Sequence, residues 1–167
     1  MEDNKMLKLI YTFFLGVLLA IFVGVGISAF YPGPASPPYP IELNNPGKEL
    51  TADQTIQQHD YDVAVKQYDL DKRPYNRNVS IMTLAAATLF LVVSLVFEKK
   101  IRIIADGIML GGLFTLLYSI GRGFASQDNK YVFIVVTVGL ALVIYLGYHR
   151  FVVERGKTKL LLKNNNK

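Results

Sequence analysis

The chain has 167 residues, 51% of them apolar, and a net charge of +5. A mean hydropathy of +0.30 is high for a soluble domain and suits a chain about half embedded in lipid. There is no cysteine and there are two histidines, His59 and His149. This excludes disulfides, thiol redox chemistry and thiolate metal sites, and leaves no histidine inside an apolar run to ligate a haem.

Four apolar runs, 7–30, 79–97, 103–120 and 131–148, are each long enough to cross a bilayer, which takes roughly 20 helical residues. They predict an all-α integral membrane protein, a four-transmembrane-helix bundle forming a single membrane domain over residues 1–167. The plan is that of small prokaryotic membrane proteins. The first run is longer than the roughly 7–15 residues of a signal-peptide core, so an uncleaved anchor is expected.

Within that first run Thr12, Gly16, Ala20, Gly24 and Ser28 recur every four residues. Residues four apart share a helix face. Small residues on such a face let helix backbones approach closely, and in lipid that approach drives association. Gly16, Ala20, Gly24 and Ser28 are therefore candidate packing residues.

Residues 31–78 form the longest polar segment. It opens with five prolines in Tyr31–Pro40, which enforce an extended strap. A T-x-x-Q capping box at Thr51 and Gln54 then opens a short amphipathic helix, expected to end near Leu70 because Pro74 follows. Its apolar residues fall on two faces: Ile56, Val63 and Leu70 on one, and Tyr61, Ala64, Val65 and Tyr68 on another. Two faces suggest a helix held between the bundle and something else, with Tyr61, Val65 and Tyr68 as candidate partner contacts. The acidic residues around His59 lack the glycine turn and spacing of a calcium loop, so no metal is expected.

The second span carries small residues at Thr83, Ala85, Ala86, Ala87 and Ser94. In the third, Gly107, Gly111, Thr115 and Ser119 repeat the four-residue spacing, which predicts a second packing stripe. The third span also holds the charges closest to the membrane interior. Asp106 follows Arg102 by one turn, a spacing that permits an ion pair. Arg122 closes the span between two glycines. Intramembrane charges are functional pointers, so Arg102, Asp106 and Arg122 are candidate ion-pair or transport residues. The fourth span, rich in valine, leucine and isoleucine, is expected to be the most lipid-exposed.

Lysine and arginine number eleven on the side of the two termini and the loop between the second and third spans, against seven on the other side. The positive-inside rule then gives a multi-pass plasma-membrane protein with both termini cytoplasmic and the 31–78 loop extracytoplasmic. The tail 150–167 carries six of those cations and is expected to lie on an anionic inner leaflet.

No nucleophile–base pair, P-loop or dinucleotide fingerprint is present. No enzyme activity, cofactor or nucleic-acid partner is expected; the partners expected are the bilayer and a homo-oligomer or larger membrane complex. The function this favours is an accessory or scaffold subunit that assembles through its small-residue helix faces and outer loop. The alternative is a small transporter or channel subunit with a path along the third helix, marked by Asp106 and Arg122.

Overall fold

The computed structural model describes residues 3–41 and 51–150. Among them are four helices and no strand: α1 (Asp3–Phe30), α2 (Ala52–Phe97), α3 (Arg102–Ala125) and α4 (Asn129–Tyr148). All four are long and apolar enough to cross a bilayer, the build of a small integral membrane protein.

The largest departure from the sequence-based expectation is in α2. It does not end near Leu70 but runs unbroken for 46 residues with Pro74 inside it. A proline within a helix removes one hydrogen bond and costs about 3 kcal/mol. Here that cost falls where Leu70, whose carbonyl loses its donor, is exposed to solvent. Contacts on both sides hold the helix through the break. Beyond the proline, Tyr75 stacks on Tyr31 with ring centroids 5.3 Å apart, and Asn76 donates to the Ala125 carbonyl at 3.1 Å. Before it, Tyr61 meets the Tyr39 ring edge-on at 5.3 Å. The two expected elements are thus one rod roughly 70 Å long, of which a bilayer needs roughly 30 Å. The rod begins as expected at Thr51, which forms a complete capping box with Gln54.

The centre of the assembly is α3, which touches each of the other helices and packs most extensively on α2 and α1. Against α2 it presents Gly112, where a Cβ would lie 2.8 Å from Leu91 Cδ2 and 3.3 Å from the Ala87 carbonyl oxygen, and Ser119, which meets Ser80; Val79, Thr83 and Ser94 are buried along the same helix. The polar members of this core are satisfied without water. Ser80 Oγ donates to the Ser119 carbonyl at 2.7 Å and Ser119 Oγ to the Ser80 carbonyl at 2.8 Å. Thr83, Ser94 and Thr115 donate to carbonyls three or four residues back in their own helices. A hydroxyl bonded this way behaves as a small residue in a membrane interface.

The expected small-residue stripes do not face each other along their length. At one end they do: a Cβ on Gly16 would lie 2.9 Å from Leu110 Cγ, and one on Gly107 would lie 2.6 Å from Leu15 Cδ2. At the other end a Cβ on Gly24 would meet nothing within 4 Å, and Ser28 is exposed, its hydroxyl bonded to Val25 of its own turn. The reason is rotational. Four residues turn a helix by about 400°, so a strict four-residue stripe drifts about 40° per step. After three steps it has left its partner. In α3 the same drift carries the stripe from α1, at Gly107 and Gly111, round to α2, at Ser119.

A second correction follows. The most exposed span is α1 and not α4: 11% of its apolar window is buried against 17% for α4. Small side chains give α1 a packing face, of which the described residues cover the Gly16 end and not the Gly24 end. α4 docks through Gly139, where a Cβ would stand 3.3 Å from Leu116, and through buried Val135 and Leu146. Asp128 caps it, accepting from the amides of Lys130 and Tyr131.

Candidate functional site

The membrane-facing charges gather into two clusters, one at each end of α3. At the α2–α3 end the organiser is Arg150, just past α4. Its Nε lies 3.3 Å from Glu98 Oε1, its Nη2 pairs with Asp106, and its Nη1 lies 2.8 Å from Met109 Sδ. The side chains of Glu98 and Arg150 are 6% and 10% exposed. Asp106 therefore pairs not with Arg102, one turn before it, but with a residue 44 positions later. A helical side chain leans toward its own N-terminus, which carries the Asp106 carboxylate to the open end of the bundle. There a planar guanidinium can serve two carboxylates from different elements at once. One fork thus ties the ends of α2, α3 and α4 together.

At the α3–α4 end, Arg122 turns inward. Its Nε donates to Tyr118 Oη and its Nη1 to Asn76 Oδ1, both at 2.9 Å. The Arg122 guanidinium carbon lies 5.4 Å from the Tyr118 ring centre and 5.8 Å from that of Tyr75. Asn76, 2% exposed, passes the contact on through its Nδ2 to the Ala125 carbonyl. Among the described residues no carboxylate pairs with Arg122; aromatic faces and amide oxygen offset its charge. Asn78 Nδ2 and Tyr75 Oη bind the hydroxyl and carbonyl of Tyr31, which fixes the end of α1 to the same cluster.

No family model, curated protein or solved structure matches this chain. The geometry alone must carry the functional reading.

Asp106 and Arg122 lie about 24 Å apart along α3. The structure brings each into a separate cluster and neither toward the other. Between them the inward side of α3 is filled by Gly107, Gly111, Gly112, Thr115, Leu116 and Ser119, all buried. Arg102 stays exposed at the first turn of α3. Of the candidate packing residues, Gly16, Gly107 and Gly111 meet a neighbouring helix closely, Thr115 and Ser119 are buried, Ala20 is half-buried, Gly24 has no neighbour within 4 Å of a Cβ among the described residues, and Ser28 is exposed.

The α2 extension sorts its two apolar faces. Tyr61, Val65 and Tyr68, expected to meet a partner, are half-buried in their own chain, with Tyr39 on Tyr61 and the Lys72 ammonium 5.0 Å over Tyr68. Ile56, Val63 and Leu70, on the far side, are 60%, 52% and 53% exposed. Asp62 and Asp71 each accept from a glutamine one turn earlier.

Sequence reasoning missed Glu98 and the reach of Arg150. Glu98 entered none of the sequence-based expectations, and Arg150 entered only as the first cation of the tail. The available signal was Glu98 itself, the one acid in the otherwise basic 98–102 turn.

Proposed function

We propose that this chain is a non-enzymatic accessory or scaffold subunit of a larger assembly in the plasma membrane. Both termini are cytoplasmic and the α2 extension is the docking arm on the outer side. The excess of cations on the side of the termini supports that orientation. The observation that carries the reading is the free face of the arm. Ile56, Val63 and Leu70 stand at seven-residue spacing, about 140–180° around the helix from Tyr61, and stay more than half exposed. They sit on the part of α2 in excess of what a span requires. Exposed singly, such residues need no explanation; aligned on one rigid rod, they suit a helical partner. Covering them adds on the order of 1 kcal/mol each.

The test is native mass spectrometry of the tagged protein extracted gently from its own membranes, beside a variant carrying Ile56→Ser, Val63→Ser and Leu70→Ser. The expected result is a stoichiometric companion subunit that the variant loses while its helical content is unchanged. A wild-type chain that emerges alone would overturn the reading and move attention to transport along α3, to be tested with Asp106→Asn.

A further inference from the structure

The close contact of α1 with α3 begins at Leu15, three turns into α1. Leu15 lies over Gly107, and Gly16 over Leu110 and Gly111. On the α2–α3 side of that contact the helices part and leave a crevice of about 540 Å³. Its walls are apolar along most of their area, with Leu9 and Thr12 from α1 and Ile103 from α3 among them. Its rim carries three cations from two helices: Lys5 and Lys8 from the start of α1, and Arg102 from the start of α3. All three are exposed, and none has an ion-pair partner among the described residues. Asp106 also lines the crevice, but its carboxylate is taken by Arg150. Three cations, with no ion-pair partner among the described residues, thus line an apolar slot that spans about 10 Å along α1, from Lys5 to Thr12.

We propose that this crevice holds one anionic phospholipid. Its phosphate lies among Lys5, Lys8 and Arg102, and its glycerol and first acyl carbons lie against Leu9, Thr12 and Ile103. Three converging cations select an anion, and basic pockets between transmembrane helices are suited to phosphorylated head groups. The apolar walls select an amphiphile over a free ion, because an inorganic anion would leave them uncovered. The geometry is independent of any partner on the α2 arm, so the site stands apart from the scaffold reading.

The experiment uses the full chain, purified in a neutral detergent and titrated with dioleoyl phosphatidylglycerol, dioleoyl phosphatidylcholine or inorganic phosphate. Native mass spectrometry counts bound lipid, and a melting curve reports folding. Phosphatidylglycerol is expected to bind in one copy, well above phosphatidylcholine. Each of Lys5→Gln, Lys8→Gln and Arg102→Gln is expected to weaken it about fivefold. The matched removal of three cations at the other end, Arg73→Gln with Arg77→Gln and Lys130→Gln, is expected to leave that binding intact. Millimolar phosphate is expected neither to displace the lipid nor to raise the melting temperature. Should the rim variants fail to fold, a photoactivatable phosphatidylglycerol on the wild-type protein is expected to label the peptides around Leu9, Thr12 and Ile103. Equal binding of the two lipids, an equal loss in the matched control, displacement by phosphate alone, or labelling elsewhere would each overturn the proposal.

Discussion

Gly16 and Gly111 bring the backbones of α1 and α3 together: a Cβ on Gly111 would stand 3.3 Å from the Gly16 carbonyl oxygen and 2.9 Å from Leu19 Cβ, and one on Gly16 would stand 3.1 Å from the Gly111 nitrogen. Backbone meets backbone there, so added volume has nowhere to go. Gly111→Leu is expected to destabilise the protein by about 1–3 kcal/mol or to separate α1 from α3. Gly24→Leu, at a position with nothing within 4 Å, is expected to be neutral within about 0.5 kcal/mol. Unfolding in graded denaturing detergent checks both. Equal losses would mean that the small-residue spacing, and not the observed contact, sets the sensitivity.

The four spans were legible in the sequence because twenty-residue apolar runs in lipid have one outcome. Which residues of a span face which neighbour was much less legible. The four-residue spacing marked Gly16 and Gly111, which lie close against each other. It also marked Gly24 and Ser28, which the drift of about 40° per step turns away. Pro74 was misread for a different reason. Local propensity argues for a stop there, whereas the contacts of Tyr61, Tyr75 and Asn76 come from residues 22 to 49 positions away, which no local window contains. The same holds for Asp106: the spacing offered Arg102, and the fold supplied Arg150.

The Arg150 fork makes a separable prediction. Arg150→Ala leaves the buried Glu98 carboxylate, 6% exposed, with no cation, and is expected to cost about 3–5 kcal/mol. The pair Arg150→Ala with Glu98→Gln is expected to recover part of that loss, since the uncompensated charge is gone. Arg102→Ala is expected to show no coupling to Asp106→Asn in a double-mutant cycle, with the pairwise term under about 0.5 kcal/mol. Coupling between Arg102 and Asp106 as large as that between Arg150 and Asp106 would restore the local ion pair that the spacing suggested.

Pro74 gives a test of the continuous rod. With α2 helical on both sides, Pro74→Ala restores the missing donor to the Leu70 carbonyl and removes the ring clash. It is expected to stabilise the protein, by at most about 3 kcal/mol. Hydrogen exchange of the amides from Leu70 to Asn78 is expected to slow. If the helix ended before the proline, the substitution would leave those amides unchanged.

The α3–α4 turn holds a smaller strain. Gln127 has φ 56°, a left-handed conformation that costs a non-glycine residue roughly 1–2 kcal/mol. Its amide bonds to the Phe124 carbonyl at 3.1 Å, closing α3 in the manner glycine usually serves. Gln127→Gly is expected to raise stability by up to about 1 kcal/mol, and Gln127→Val to lower it. Melting curves in detergent decide between that and a turn indifferent to the residue.

Asn76 joins α2 to α3 through two bonds at once, so its substitutions separate charge from hydrogen bonding. Its Oδ1 accepts from Arg122 and its Nδ2 donates to the Ala125 carbonyl at the end of α3. Asn76→Ala strands both partners in a site that is 2% exposed, and is expected to cost about 1–3 kcal/mol. Asn76→Asp keeps the acceptor and adds a negative charge beside Arg122, which has only neutral partners among the described residues. It also sets a carboxylate oxygen against the Ala125 carbonyl. If the Arg122 charge dominates the site, the aspartate variant will be at least as stable as the wild type. If the seal at the end of α3 dominates, it will fall with the alanine variant. The 3.1 Å bond of Nδ2 to a carbonyl that has already given up its helical partner favours the second outcome: the order expected is wild type, then Asn76→Asp, then Asn76→Ala, read from the same denaturation series.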